Sequence, residues 1–108
     1  MTVNELIEKG SFNVINVGDT ETAITGVYCC DLLSIAMSRV PSGAAWVTVM
    51  SNLNTLAVAS LTECGCVVLA EGINPDENMV RKAVEQGITL LGTDMPIFDA
   101  ALTIHKSL

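Results

Sequence analysis

Short runs of consecutive apolar residues alternate along the chain with longer segments whose apolar positions recur every three or four residues. The first pattern predicts strands buried on both faces, the second amphipathic helices. "TVNELIEKG" opens as a short helix: Thr2 is its cap, Glu5 completes a capping box and Gly10 stops it. "FNVINV" (12–17) and "ITGVY" (24–28) read as strands flanking the polar turn "GDTETA". "DLLSIAMSRV" (31–40) reads as a helix capped by Asp31, with Leu33, Ala36, Met37 and Val40 on its apolar face and Pro41 beyond its end. Next come a strand, "AWVTVM" (45–50), a helix, "NLNTLAVASLTE" (52–63), capped by Asn52 or Asn54, and a strand, "CVVLA" (66–70).

The best-marked helix is "NPDENMVRKAVEQG". Asn74 takes the cap position, Pro75 the first helical position, and Asp76 and Glu77 the first turn, where the helix dipole favours acids. Met79, Val80, Ala83 and Val84 form the apolar stripe, Glu77 stands four residues before Arg81, and Gly87 supplies a left-handed stop. "ITLL" (88–91) is a strand and "DMPIFDAALTIHKSL" a closing helix. Strands buried on both faces and separated by helices define the expected fold class. It is α/β: a single three-layer domain, residues 1–108, with a mostly parallel five-stranded sheet flanked by helices.

Half of the 108 residues are apolar, which is rich for a domain this small. Surplus apolar area usually ends against another protein surface, so a homodimer or a place in a larger assembly is expected. Five basic residues against twelve acidic ones give a net charge of −7, and the basic residues are scattered. Nucleic acids and anionic lipid surfaces attract clustered Lys and Arg, so neither is an expected partner. No apolar run is long enough to span a bilayer, and the acidic N-terminus lacks the layout of a signal peptide, so the cytoplasm is the expected location.

Four cysteines, Cys29, Cys30, Cys64 and Cys66, stand in two close pairs. Zinc would need both pairs at one point, whereas the first lies at the end of its strand and the second at the start of another. In a parallel sheet that separates them by ~15 Å, so core filling is the preferred reading over a reactive thiol or a metal site. The single histidine, His105, sits near the end of the last helix, where a solvated cation is favoured, and no nucleophile–base motif accompanies it. Neither glycine-rich phosphate loop is present. No cofactor and no catalytic residue is expected. The strand ends are more informative, because ligands of parallel sheets bind outside the carboxyl ends of the strands. Those ends offer Asp31, Asn52, Asn54, Glu71, Asn74, Thr93 and Asp94. Many of these serve as helix caps in any such fold, but together they also describe a polar pocket for a neutral or amine-bearing ligand or a hard cation.

The strings "ITGVYCCDLLSIAMSRV" and "AWVTVMSNLNTLAVASLTECGCVVLAEGINPDENMVRKAVEQGITLLGTDMPIFDAA", in this order, resemble the DRTGG domain over nearly the whole chain. The most telling parts are "GVY-x-x-DLLS-x-x-M" and "GI-x-x-x-x-TD", Gly87 to Asp94, followed by "FDAA". The resemblance implies an α/β regulatory module with no reaction of its own. It also implies pairing in dimers and, for stand-alone members, an association with hydrogenase-type redox machinery. This chain departs from the motif that names the family: "MSNLN" (50–54) replaces a Gly-Asp-Arg turn and "AEG" (70–72) replaces Thr-Gly-Gly. Loss of the arginine argues against an anionic ligand. Gly72 and Asp94 are the matching positions.

The leading expectation is therefore a non-catalytic regulatory or scaffolding module that binds a small ligand through Asn52, Asn54, Glu71, Gly72 and Asp94. Its expected partners are a second copy and a protein of a regulatory or redox complex. A different class of reading is a small divalent-cation-dependent hydrolase or phosphotransferase built on strand-end carboxylates. A thiol or iron–sulfur carrier is a third.

Overall fold

Thr2 begins the first helix as anticipated. Its hydroxyl accepts from the Glu5 amide and the Glu5 carboxylate accepts from the Thr2 amide, closing the capping box of α1 (Val3–Glu8). In this computed structural model, which describes all 108 residues, β1 (Asn13–Asn16) and β2 (Gly26–Cys29) follow. The remaining elements are α2 (Leu33–Arg39), β3 (Ala44–Thr48), α3 (Leu53–Thr62), β4 (Cys66–Leu69), α4 (Glu77–Gln86), β5 (Leu90–Gly92) and α5 (Ile97–His105).

The five strands form one sheet in the order β1-β5-β4-β3-β2. Strands β2 to β5 are parallel and step across the sheet one place at a time; β1 lies antiparallel on β5. Side chains alternate between the faces, so each central strand feeds two cores. Ala45, Val47, Cys66, Val68 and Leu91 pack on the side covered by α1 and α5. Ala44, Trp46, Val67, Leu69 and Leu90 pack on the side covered by α2, α3 and α4. This is the three-layer, mostly parallel α/β fold expected from the sequence. No helix is long and apolar enough to cross a membrane.

Several local expectations give way to tertiary context. Asp31 does not cap α2: the cap position falls on Leu32, without a side-chain bond, and the Asp31 carboxylate reaches the neighbouring strand instead. Helix α4 starts at Glu77, with Asp76 as its cap, its carboxylate accepting from the Met79 amide at 2.7 Å. Proline disfavours the helical conformation at the residue before it, which keeps Asn74 out of the helix. Arg81 bonds Asn78 rather than Glu77, and the one ion pair of the chain is Lys82–Glu85 at 4.0 Å. Met37 and Val84, assigned to apolar stripes, are 50% and 62% exposed because Ala36 and Val40, and Met79 and Ala83, already meet the sheet.

The cap assignment is directly testable. Asp76→Ala is expected to cost about 1 kcal/mol in urea denaturation, since it removes the acceptor for an otherwise orphaned amide. Asn74→Ala is expected to leave the midpoint unchanged.

Candidate functional site

At the carboxyl edge of the sheet the polar side chains divide into two groups, one bonded into the fold and one open. The bonded group joins the ends of β2 and β3. Asp31 Oδ1 accepts from the Thr48 hydroxyl at 2.8 Å and from the Val49 amide at 3.0 Å. Thr48 Oγ1 in turn accepts from the Met50 amide, and the Thr55 hydroxyl donates to the Met50 carbonyl. Thr48 and Thr55 are fully buried, and no buried side-chain polar atom in the protein lacks a partner. A network in this condition holds strands and helix together and has no free acceptor in the core to offer a ligand.

Asn52 lies just beyond it and caps α3, its side-chain oxygen accepting from the Asn54 amide. Asn54 is exposed in the first turn of the same helix. Neither of these two predicted site residues lines the cleft described next.

The open group lies where β4 and β5 end and β1 begins. Ala70 to Ile73 make a tight turn in which the Ile73 amide donates to the Ala70 carbonyl while Glu71 and Gly72 both take positive φ, 61° and 69°. That combination is a type I′ geometry, costly for most residues and natural for glycine. The turn is pinned to the β5–α5 connection by bonds from the Glu71 amide to the Met95 carbonyl and from the Gly72 amide to the Thr93 carbonyl. The Glu71 carboxylate accepts from the Ile97 amide at 3.3 Å, capping α5, whose own cap residue Pro96 has no side-chain donor or acceptor to give. Glu71 is thus a structural residue, and its geometry explains why it tolerates the left-handed conformation.

Gly72 and Asp94 are brought together. A Cβ on Gly72 would lie 3.1 Å from the Asp94 carboxylate, so the glycine leaves room for that carboxylate as well as for the turn. Asp94 is exposed and has neither a hydrogen-bond partner nor an ion pair in the protein. It lies between two adjoining hollows. One of about 300 Å³ is lined by Asn13, Ile15, Gly92 and the 72–75 segment; the other, about 440 Å³, is lined by Ser11, Met95 and Thr103. Asn13, Thr93 and Asp94 border both, making one polar cleft with no Lys, Arg or His on its walls. Asn13 was not among the predicted residues. Its place depends on β1 running antiparallel, so that its start meets the ends of the parallel strands, and the periodicity of "FNVINV" is blind to strand direction.

The strand-end carboxylates have different surroundings. Asp31 is committed to β3, Glu71 to α5, and Asp94 stands alone, and no three His, Cys, Asp or Glu side chains are grouped to hold a metal ion. The cysteines divide by burial. Cys66 is fully enclosed, and Cys64, at the foot of β4, is half-buried against the other core. Burial pushes the Cys64 thiol up to about 12 and raises Cys66 as well, with Cys64 beside it adding to the effect. Cys29 departs from the core-filling expectation: it is exposed on the outermost strand. Its thiol is nevertheless raised, by desolvation first and by the Asp31 charge second, which is the opposite of nucleophile activation.

Two predictions follow from this geometry. Asp31→Ala leaves the buried Thr48 hydroxyl without its acceptor and is expected to cost about 1–3 kcal/mol, with Asp31→Asn, which keeps an oxygen at that point, costing clearly less; urea midpoints compare them. In alkylation at pH 8 followed by peptide mass mapping, Cys64 and Cys66 are expected to remain unmodified in the folded protein and to react fully once it is denatured.

No protein-family model and no curated protein matches the chain. Among solved structures, the chain is similar to the CBS and DRTGG domains of the regulatory region of Clostridium perfringens pyrophosphatase, determined in complex with the activator diadenosine tetraphosphate. The superposition has a TM-score of 0.74 at 14% sequence identity and covers 99% of this chain. It spans 47% of the pyrophosphatase chain, so the likeness is to about half of that regulatory region. At this level of identity what is shared is the fold.

Proposed function

We propose that this chain is a stand-alone regulatory module of the DRTGG type, non-catalytic and cytoplasmic, which pairs with a second copy and senses a small ligand in the cleft around Asp94. The observation that carries the reading is the fold shared across 99% of the chain with part of a regulatory region that binds an activator. The "GVY-x-x-DLLS" and "GI-x-x-x-x-TD" strings support the same family, and the second of them delivers Thr93 and Asp94 to the cleft.

The ligand differs in chemistry from the pyrophosphatase activator. Diadenosine tetraphosphate is a polyanion, whereas this cleft carries a free carboxylate, no cationic side chain, and a protein of net charge −7 around it. Asp94, Thr93 and Asn13 suit a ligand that donates hydrogen bonds, such as an amine or a polyol. A partner protein in a regulatory or redox complex, as the DRTGG resemblance implies, would read the ligand-dependent state.

Thermal melting against a panel of amines, polyols and nucleotides, paired with native mass spectrometry, tests the reading. A donor-rich compound is expected to raise the midpoint by several degrees, with Asp94→Asn abolishing that shift while leaving the ligand-free midpoint within about 2 °C. If no compound binds, or if Asp94→Asn binds as well as the parent, the cleft is not a sensor.

A further inference from the structure

Helix α3, "LNTLAVASLT", is uncharged from end to end. Thr55, Leu56, Val58 and Ala59 are buried, yet Leu53, Ala57 and Leu61 also recur at four-residue steps along the exposed side. Leu61 is 65% exposed and Leu53 43%. A helix that is apolar on both sides is ordinarily a covered one. Helix α3 packs against α2 on one side and α4 on the other, so it is the middle of its layer. Its neighbours extend the patch with Ile35 and Met37 on α2 and Val84 on α4, all exposed.

Charge is spread unevenly around this layer. The spans of α2, α3 and α4 hold three bases, Arg39, Arg81 and Lys82, against two acids, Glu77 and Glu85, a net charge of +1. The rest of the chain holds two bases against ten acids. The acids next to these helices address other places: Asp31 bonds β3, Asp76 caps α4, and Glu63 borders a separate hollow with Asp19. Both arginines of the protein are on this layer, and neither makes an ion pair. Arg81 bonds only the neutral Asn78 amide, at 3.3 Å. With Lys82, Asn78 and Glu85 it lines a hollow of about 180 Å³ in the seam between α4 and Leu53 of α3.

We infer that this face is the docking surface for an acidic amphipathic helix of a partner protein. Apolar residues of that helix pack on the row of Leu53, Ala57 and Leu61, whose four-residue spacing matches the ridges of a facing helix. A carboxylate seated in the seam gives Arg81 the anionic partner it lacks, and a guanidinium takes a carboxylate through two parallel hydrogen bonds. A basic partner would be drawn to the acidic remainder of the surface and away from the apolar row. Only an acidic one finds its apolar and its electrostatic contacts in the same place. The inference rests on the partner protein named in the proposed function and supplies its surface and chemistry. It involves neither pairing of copies nor the Asp94 cleft.

Fluorescence anisotropy of labelled synthetic peptides titrated with the full chain tests this. The probe is an amphipathic Leu/Glu helix of about 18 residues, compared with the same peptide carrying Lys for Glu. The Glu peptide is expected to bind. Leu61→Ser and Arg81→Glu are each expected to weaken it about tenfold, with circular dichroism unchanged because both side chains are exposed. Arg81→Glu is also expected to gain affinity for the Lys peptide, which a merely unfolded face would not do. Phe98→Glu, exposed on α5 across the sheet, is expected to leave the Glu peptide unaffected. No binding of the Glu peptide, or binding that Phe98→Glu weakens as much as Leu61→Ser does, overturns the inference and leaves ligand sensing at Asp94 untouched. Sedimentation of the chain alone reads the other occupant: self-association that Leu61→Ser abolishes means that a second copy covers the face, which also overturns it.

Discussion

Strands β3 and β4 present apolar side chains to both sides of the sheet, and every residue they carry is buried. No single layer of helices satisfies such strands, since one face would remain in water. The chain therefore spends three crossover helices on one face and returns with α5, assisted by α1, on the other. Trp46 shows how tight the demand is. Its ring is fully enclosed beneath α2 and α3, and its indole N–H donates to the Cys30 carbonyl at 3.0 Å, so the largest side chain of the core also ties the middle of β3 to the end of β2.

Because the parallel strands all point the same way, their carboxyl ends gather at one edge, and polar chemistry has to be managed there. Around Asp31, Thr48 and Thr55 the demand is met internally. Around Gly72 and Asp94 it is not: the turn is pinned, Glu71 is consumed in capping α5, and Asp94 is left as an acceptor facing an open cleft. The two groups lie apart across the sheet, and only the second leaves a carboxylate without a partner in the protein. No three acidic, histidine or cysteine side chains are grouped there to hold a metal ion.

The same sheet order leaves two edges. One is irregular at β1; the other is β2, and the N-terminal residues Met1 and Thr2 bridge Ala23 and Ile24 at its approach. The cleft borders β1 and β5, at the far side of the sheet from β2.

Periodicity and capping signals alone determined the element order, the three-layer α/β class and the residues of the central strands, because burial on two faces writes an unbroken apolar run into the sequence. They also determined the capping box of α1 and the separation of the two cysteine pairs, which follow from local spacing and strand direction. Only the tertiary structure decided that Asp31 bonds across to β3, that Glu71 serves α5, and that Asn13 joins Thr93 and Asp94. Each of those depends on a neighbour distant in sequence. Asp31 bonds a strand 17 residues on, Glu71 a helix 26 residues on, and Asn13 owes its position to an antiparallel pairing that no local pattern encodes. A side chain's local preference is worth about 1 kcal/mol, and a partner supplied by the fold readily outweighs it.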